Sequence, residues 1–298
     1  MKKALAIDVG GTKIYSAIVD ENGDIISEIE KFATPKTFNE IKQTFESIIK
    51  KHEDNVDIIA FSTCGEVNNQ NTAIAGSTGN IAKEYPTMNF LELSNKPVFI
   101  ENDANCAAWA EYKIGASKGS NISVMVTFGT GVGGGIIINN KLFKGKSGAA
   151  GAMHFKMYPD KRRQCTCGAW DCFEIYTSGN GLKLTAEEMS GNKQITTYDV
   201  INGVNEKNPK MIDIYNKWQN DIANGLAGVA NLFDPDCIVL SGSLAEFVET
   251  DKIEKFVNSE IVTAPTKIYK AKAGNYAGMI GAALLAFEKI SSLVLCPS

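Results

Sequence analysis

Two glycine-rich turns place bare backbone amides at the ends of apolar strands, where a phosphate could bind. The first turn contains Gly10 and Gly11 and follows the apolar segment 4–9, and the second extends over residues 129–135 after the apolar segment 122–128. Glycine lets the backbone approach an anion closely and adopt positive φ. One such turn alone is more often an ordinary tight turn. Two copies in matching contexts predict a duplicated α/β unit whose halves face each other across a nucleotide.

Side chains beside these turns could complete a site for ATP. Asp8 ends the first strand and could orient hydrated Mg²⁺, although an Asp at a strand end also commonly caps a turn. Thr12 and Lys13 add a hydroxyl and an ammonium group, and Gly242 marks a third glycine turn after an apolar strand. The predicted ATP-binding residues are Asp8, Gly10, Gly11, Thr12, Lys13, Gly129, Thr130, Gly131, Gly133 and Gly242.

Asp103 is the candidate general base. It lies where the apolar segment 97–100 runs into an Ala-rich helix predicted over 106–114, and Asn102 and Asn105 flank it with groups that bind polyol hydroxyls. A helix N-terminus favours an ionised carboxylate. Such a carboxylate could accept the proton of a hydroxyl group that attacks a γ-phosphorus. An N-cap role is the alternative, and both roles are compatible because a carboxylate has two oxygens.

Three cysteines within eight residues, Cys165, Cys167 and Cys172, could hold one Zn²⁺. A structural zinc site usually has four ligands. His154 is the candidate for the fourth, because it is the only histidine besides His52 and precedes the cluster. Three buried, reduced thiols are the alternative reading. Glu174 follows the cluster and could face either the cysteines or a polar ligand, although a solvated surface glutamate is the commoner outcome.

Composition excludes several classes of protein. The chain has 298 residues, is 44% hydrophobic and carries a net charge of -4, which indicates a globular protein of two domains. Because it has no dense Lys/Arg run, nucleic acid and anionic membranes are unexpected partners. No targeting segment is visible and no apolar stretch is long enough to span a bilayer, so we expect a cytoplasmic protein. Seven cysteines, an odd number, do not resemble a secreted disulfide framework.

The spacing of apolar residues predicts the same plan in both halves of the chain. A β-hairpin, a helix over 38–51 and a strand over 56–61 are followed by the segment 62–95, which is rich in Asn, Gly, Ser and Thr. We expect this segment to be a long loop without core structure that carries binding groups. The second half repeats the plan from residue 122. The predicted domains are an N-terminal α/β domain over 1–118, joined by the C-terminal helix 286–298, and a C-terminal α/β domain over 119–285 that contains the cysteines.

Taken together, the turn over 8–13, the segment Glu101-Asn102-Asp103-Ala104-Asn105, the loop 129–135 and the cysteine cluster resemble the ROK family of sugar kinases and repressors. The match extends over nearly the whole chain. The resemblance implies an α/β, duplicated actin-like (ribonuclease-H-type) ATPase fold, in which sugar and Mg-ATP meet in a cleft between two domains. It also implies that Asp103 is the catalytic base and a sugar ligand, and that the sugar contacts Asn80, Asn102 and Glu174.

One motif departs from the family pattern. Where the family normally has Glu-x-Gly-His, this chain has Ala152-Met153-His154-Phe155. The family's glutamate contact to the sugar is therefore absent at Ala152, and the histidine that serves both sugar and zinc aligns with Phe155. His154 would take both roles if the loop shifts by one residue. Asp171 stands where the cysteine knuckle of the family normally has glycine.

The substrate expected from the resemblance is an N-acetylhexosamine. The segment 102–112 and the preceding Ser62-Thr63 are similar to bacterial N-acetylmannosamine kinases, some of which also vary at the missing glutamate. We therefore expect phosphorylation of the 6-hydroxyl of N-acetylmannosamine, with glucose, fructose or another hexose as the alternative. A repressor is disfavoured because the phosphate turn begins at Asp8 and leaves no room for a winged-helix domain. A non-catalytic sugar-binding protein is disfavoured by Asp8, Asp103 and both glycine loops. A homodimer is expected by analogy alone.

Overall fold

The computed structural model describes residues 1–76 and 81–294, which build two five-stranded sheets. In the first sheet, β1 pairs antiparallel with β2 and parallel with β4. The outer strands continue these directions, since β3 is antiparallel to β2 and β5 is parallel to β4. The order is β3-β2-β1-β4-β5. These strands are β1 (Lys3–Val9), β2 (Lys13–Asp20), β3 (Glu30–Ala33), β4 (Ile58–Thr63) and β5 (Val98–Asn102).

The second sheet repeats the first strand for strand. Its order is β10-β9-β6-β7-β8, with β6 antiparallel to β7 and parallel to β9. The connectivity is that of the first sheet shifted by five strands, so the predicted duplication is confirmed. Its strands are β6 (Ile122–Phe128), β7 (Val132–Ile138), β8 (Lys141–Leu142), β9 (Cys237–Ser241) and β10 (Lys267–Lys270).

Helices cover the faces of both sheets. The helix α8 crosses back from the second half of the chain to pack on β1 and β4 and against α2, while α6 packs with α3, α4, α5 and α7. None of the helices within the described ranges is long and apolar enough to cross a bilayer. The helices are α1 (Phe38–His52), α2 (Asp103–Ile114), α3 (Phe173–Thr177), α4 (Gly179–Ser190), α5 (Thr197–Asn205), α6 (Pro209–Phe233), α7 (Thr250–Glu260) and α8 (Ala277–Val294).

The alternation of side chains along β1 explains how its sheet is covered. Ala4 and Ala6 face the small side chains of α8, whereas Leu5 and Ile7 face the opposite layer, which includes Phe45 of α1. Successive residues of a strand point to opposite faces, and buried central strands are apolar on both. The alanines allow α8 to lie close to the sheet, directly behind the strand that carries Asp8. We propose that all of α8, which begins at Ala277 and not at residue 286, belongs to the N-terminal domain.

The prediction that the segment 62–95 lacks core structure is wrong for part of its length. Two short 3₁₀ turns, 85–87 and 90–92, direct the rings of Tyr85 and Phe90 inward, where both are fully buried. The Phe90 ring lies 5.1 Å from that of Phe61 in an edge-to-face arrangement. Isolated aromatic residues among polar ones carry no periodic signal, which is why the sequence pattern missed them. The short strand β3 was missed as well.

A buried glutamate joins the two segments at which the chain passes between the halves. The Glu111 carboxylate, at the end of α2, accepts hydrogen bonds from the backbone N of Ala116, which lies on the passage toward β6. It also accepts from Lys272 N at 2.8 Å and Ala273 N at 2.6 Å, which lie on the passage from β10 to α8. Hydrogen bonds to a buried carboxylate are strong. Both connecting segments, from α2 to β6 and from β10 to α8, are thereby fixed to the helix that begins at Asp103.

Candidate active site

A cavity of about 1140 Å³ lies between the two halves and is lined by residues of both. The carboxyl ends of β1, β4 and β5 approach it from one side, and the loops after β6 and β9 from the other. Ten of the predicted site residues line it, while Gly11, Thr12, Lys13, Thr130, Glu174, Cys165 and Cys172 do not, and Asn80 lies outside the described residues. The ten are Asp8, Gly10, Asn102, Asp103, Gly129, Gly131, Gly133, His154, Cys167 (which was predicted as a metal ligand) and Gly242.

Asp103 is the first residue of α2, and Asn102 is its N-cap. The Asn102 side-chain oxygen accepts hydrogen bonds from Ala104 N at 3.0 Å and Asn105 N at 3.1 Å. The helix therefore begins three residues earlier than the predicted residue 106, since Asn102 supplies the cap. This arrangement leaves the Asp103 carboxylate open to the cavity. The capping role that the sequence left open for Asp103 thus belongs to Asn102.

The protonation of Asp103 differs from the expectation based on the helix N-terminus. Solvent reaches its carboxylate through the cavity, but protein surrounds it deep in the cleft. This loss of hydration, together with the charge of Asp8, raises the pKa of Asp103 to about 6. The hydrogen bond that Ala104 N donates at 2.8 Å opposes the rise but does not outweigh it. A carboxyl group with a raised pKa is a stronger base when ionised, as general-base catalysis requires.

Asp8 lines the same cavity. Its Oδ1 accepts a hydrogen bond from Ser62 Oγ at 2.6 Å, and no hydrogen-bond partner of Oδ2 is found among residues 1–76 and 81–294. Burial raises the pKa of Asp8, and the Ser62 hydrogen bond opposes that rise. Gly278 lets the start of α8 approach, because a Cβ there would lie 2.8 Å from Asp8 Oδ1. An oxygen donor open to the cavity fits a hydrated Mg²⁺ bound with a nucleotide.

The first glycine turn uses its own amide to close the hairpin between β1 and β2. Gly10 N donates to Lys13 O at 3.0 Å, and Gly10 O accepts from Thr34 Oγ1 at 2.6 Å. Of the predicted residues 10–13 only Gly10 lines the cavity. Phosphate binding by Gly11, Thr12 and Lys13 stays a prediction. These residues do not line the cavity, so binding would require them to move toward it.

The second glycine loop lies against the start of α2. A Cβ at Gly135 would lie 2.6 Å from Ala108 Cβ, and one at Gly133 would lie 3.3 Å from Ala104 Cβ, so glycine is required for the close approach. Gly133 N donates to Thr127 Oγ1 at 3.1 Å. This contact between the halves brings the loop next to Asp103, as a phosphate donor and a base must be.

His154 lies with the three cysteines. One donor atom from each of His154, Cys165, Cys167 and Cys172 lies within 4.8 Å of the other three. A tetrahedral Zn²⁺ with ligands at about 2.0–2.3 Å needs donors about 3.3–3.8 Å apart, so a small contraction would complete the set. Three thiols and an imidazole are the donors of a structural zinc site. The residues present therefore fit the ion.

The local backbone explains how histidine reaches the cysteines one position early. Met153 adopts a φ of 55°, which turns His154 toward the cluster. Phe155 then stacks on Phe173, with ring centroids 5.0 Å apart. A residue other than glycine in this conformation needs support from its surroundings, and Met153 is itself buried in the core.

Asp171 replaces the family's glycine without losing the glycine conformation. Its φ is 56°, a region that Asp tolerates better than most residues. Its carboxylate accepts hydrogen bonds from Arg163 N at 2.9 Å and from Tyr176 Oη at 2.6 Å. These contacts tie the two arms of the knuckle together and stabilise the strained backbone.

Glu174 connects the knuckle to the second glycine loop. Its Oε2 accepts from Val132 N at 2.9 Å, and its Oε1 accepts from the thiol of Cys165 at 3.2 Å. Of the two orientations left open by the sequence, the structure has the one that faces the cysteines. The predicted sugar contact of Glu174 stays a prediction.

Several cavity residues were missed by the sequence analysis. They include Glu66, Lys270 and Asn275. Glu66 and Lys270 lie at or just after the carboxyl ends of β4 and β10. Position at the carboxyl end of a parallel strand is the signal that could have found them, because ligands of open α/β sheets bind there.

The fold and the cavity between its two halves define the structural class, which is the duplicated actin-like (ribonuclease-H-type) ATPase fold. The profile of the ROK family matches residues 4–289, and the chain belongs to this family.

Curated relatives cover nearly the full chain. A glucokinase of Streptomyces coelicolor is 33% identical over 97% of this chain and 98% of its own length. An N-acetylmannosamine kinase of Yersinia pseudotuberculosis is 30% identical over 96% of this chain and 99% of its own length. Among solved structures, a ROK family glucokinase from Streptomyces griseus in complex with glucose and AMPPNP superposes with a TM-score of 0.79 at 29% identity, covering 96% of this chain and 99% of that one.

Proposed function

We propose that this protein is an ATP-dependent sugar kinase that phosphorylates the 6-hydroxyl of an N-acetylhexosamine, with N-acetylmannosamine as the first choice. The observation that carries the proposal is the Asp103 carboxylate, which opens into the cavity at the head of α2 and beside the glycine loop 129–135. Curated relatives that match over nearly the whole chain are sugar kinases, which supports the proposal.

Asp103 would act as the base. In its ionised form it accepts the proton of the 6-hydroxyl as that oxygen attacks the γ-phosphorus of ATP, and the bond from phosphorus to the β,γ-bridging oxygen breaks. Asn102, fixed as the N-cap, would hold a neighbouring hydroxyl. Positioning both substrates and excluding water supplies roughly 7–11 kcal/mol of barrier reduction, so a site with few reactive side chains suffices.

The nucleotide would lie along the side of the cavity that the second half of the chain forms. Amides of the loop 129–135 and the turn at Gly242 would hold its phosphates and ribose. Asp8 would hold the hydrated Mg²⁺ that accompanies ATP, since its Oδ2 has no hydrogen-bond partner within the described residues. Mg²⁺, when bound, neutralises the charge that develops on the phosphate oxygens.

An acetamido substituent suits one wall of the cavity. Ala149, Ala150 and Ala152 line it without any polar side chain, close to His154. Small apolar residues leave room for a methyl group and offer it contact, whereas they give a hydroxyl group no partner. This supports an N-acetylhexosamine. A glucokinase or another hexose kinase is the second candidate, because the glucokinase of S. coelicolor covers as much of the chain.

A coupled assay of ADP release would test the proposal across glucose, N-acetylglucosamine, N-acetylmannosamine and fructose. We expect the highest kcat/KM with N-acetylmannosamine and ADP release that depends on added sugar. A higher kcat/KM with glucose would favour the second candidate. Absence of sugar-dependent ADP release with all four sugars, in a protein that binds them by calorimetry, would instead favour a non-catalytic sugar-binding protein.

A further inference from the structure

Glu101 is a buried carboxylate next to the candidate base. It lies in β5 two positions before Asp103, and its side chain is 1% exposed. Its Oε1 accepts from Asn102 N at 2.8 Å and from Asn105 Nδ2 at 3.0 Å. The two residues that flank the Asp103–Ala104 helix start are thus held by one oxygen of Glu101.

The other oxygen of Glu101, Oε2, has one partner from the opposite half of the chain and one from its own half. Lys144, on the loop after β8, lies with its Nζ 2.7 Å from Glu101 Oε2 and is 13% exposed. Asn71 Nδ2 donates to the same oxygen at 2.6 Å. When α8 is counted with the N-terminal domain, this is the only ion pair within residues 1–76 and 81–294 that joins the two domains.

Hydrogen bonds from side chains to backbone carbonyls, together with one close backbone approach, dock the Lys144 loop on the first half. Lys144 Nζ donates to Asn68 O at 2.8 Å, and Asn69 Nδ2 donates to Lys146 O at 2.9 Å. Gly148 lies so close to Val67 O that no side chain fits between them. The ammonium group therefore reaches Glu101 only while the two halves are in contact at this edge of the cavity.

A buried carboxylate needs a compensating charge. Without one it loses hydration that neutral hydrogen bonds replace only in part, so the side chain moves toward other partners. That movement would change the hydrogen bonds that Oε1 accepts, and with them the positions of Asn102 and Asn105. Because Asn102 caps the helix that Asp103 begins, the change would reach the orientation of the Asp103 carboxylate.

We propose that Lys144 is a positioning residue, which acts from the second half of the chain through Glu101 and Asn102 to aim Asp103 at the sugar hydroxyl. Contact between the halves is thereby coupled to the geometry of the base. The inference rests on the proposed function, in which Asp103 accepts that proton. Lys144 itself does not line the cavity.

Steady-state kinetics of Lys144→Met with sugar and ATP would test the proposal. We expect kcat to fall by about tenfold to a hundredfold, as misplacement of a catalytic group does, while KM for ATP stays within about twofold. Lys144→Arg, which keeps a charge at this position, should recover most of the loss. Lys146→Met is the matched control, since this exposed neighbour forms no ion pair within the described residues, and it should keep wild-type kinetics.

A double-mutant cycle separates positioning from loss of stability. In Glu101→Gln the neutral amide leaves the Lys144 ammonium without its counter-charge, and the amide NH₂ meets donors on one side. In Glu101→Gln with Lys144→Met the unpaired ammonium is absent. We expect the double variant to lose less kcat than the product of the two single losses. If Lys144→Met proves too unstable to assay, the kcat values of Lys144→Arg and of the double variant test the proposal in its place.

A kcat of Lys144→Met equal to that of the wild type would overturn the inference, and so would a loss in the double variant equal to the product of the two single losses. In either case sugar-dependent turnover by the wild-type enzyme would leave the proposed function standing. Absence of sugar-dependent turnover in the wild type would overturn the proposed function itself.

Discussion

The backbone N of Val132 donates a hydrogen bond to Glu174 Oε2 at 2.9 Å, and this bond fixes the second glycine loop to the cysteine knuckle. The knuckle thereby supports the part of the cavity where we place the ATP phosphates. Two predictions concern this connection.

Replacing Glu174 with Ala should weaken ATP binding. The change leaves Val132 N without its acceptor, which costs about 1–3 kcal/mol for a buried donor, and it frees the loop 129–135. We expect KM for ATP to rise several-fold and the Tm to fall by about 2–4 °C per kcal/mol lost. Kinetics and thermal unfolding of the variant would measure both. Glu206→Ala, at an exposed position, is the control, and equal KM values in the two variants would contradict the role of the bond.

The four donors of the knuckle should bind one zinc ion per chain. Elemental analysis of the purified protein should find about one equivalent, because three cysteines and His154 supply a complete tetrahedral set. His154→Ala should lose most of the metal and lower the Tm, since a structural ion contributes to folding. His52→Ala replaces the other histidine, which lies beside Glu30 far from the cysteines, and should keep the metal. Zinc content that does not depend on His154 would show that the fourth ligand is another group.

Activity should fall as the pH drops through about 6. The base must be ionised, and loss of hydration together with Asp8 raises the pKa of Asp103 to about 6. Below that value the protonated fraction grows, so kcat/KM for the sugar at saturating Mg-ATP should decrease about tenfold per pH unit. Circular dichroism over the same range would show that the fold persists. A profile that stays flat down to pH 5 would contradict a raised pKa of Asp103 in the enzyme that has not yet bound the sugar.

Gly242 should tolerate no side chain. Its φ is 88°, and a Cβ there would collide with the backbone of Phe128. We expect Gly242→Ala to destabilise the fold by more than about 1 kcal/mol and to impair nucleotide binding. Gly228→Ala is the matched control, because nothing lies within 4 Å of a Cβ at this position in α6 and alanine favours a helix by about 0.5–1 kcal/mol. Denaturant unfolding would compare the two, and similar free energies of unfolding would show that the turn can relax.

The repeat of strands and glycine turns made the fold predictable from sequence. Apolar runs that end in glycine at matching places in both halves indicate the same unit twice, and both sheets have that order. The position of Asp103 at the start of a helix followed from local pattern in the same way. These features depend on residues near each other in the chain.

Some features of the site were not predictable from the sequence pattern. The pattern does not decide whether Asn102 or Asp103 caps the helix, and the contact of His154 with the cysteines needed the unusual φ of Met153. The pairing of Lys144 with Glu101 joins positions 43 residues apart, by the difference of their numbers. No periodic pattern encodes such a contact, because it arises where the two halves of the fold meet.

The turnover of Asp103→Asn tests the account most directly. Asparagine has nearly the same shape but cannot accept the proton, so we expect kcat to fall by about 10²–10⁴-fold, with the Tm and the KM for ATP close to wild type. Asp54→Asn, at an exposed surface position, should keep full activity. Near wild-type kcat in Asp103→Asn would contradict the assignment of this carboxylate as the base.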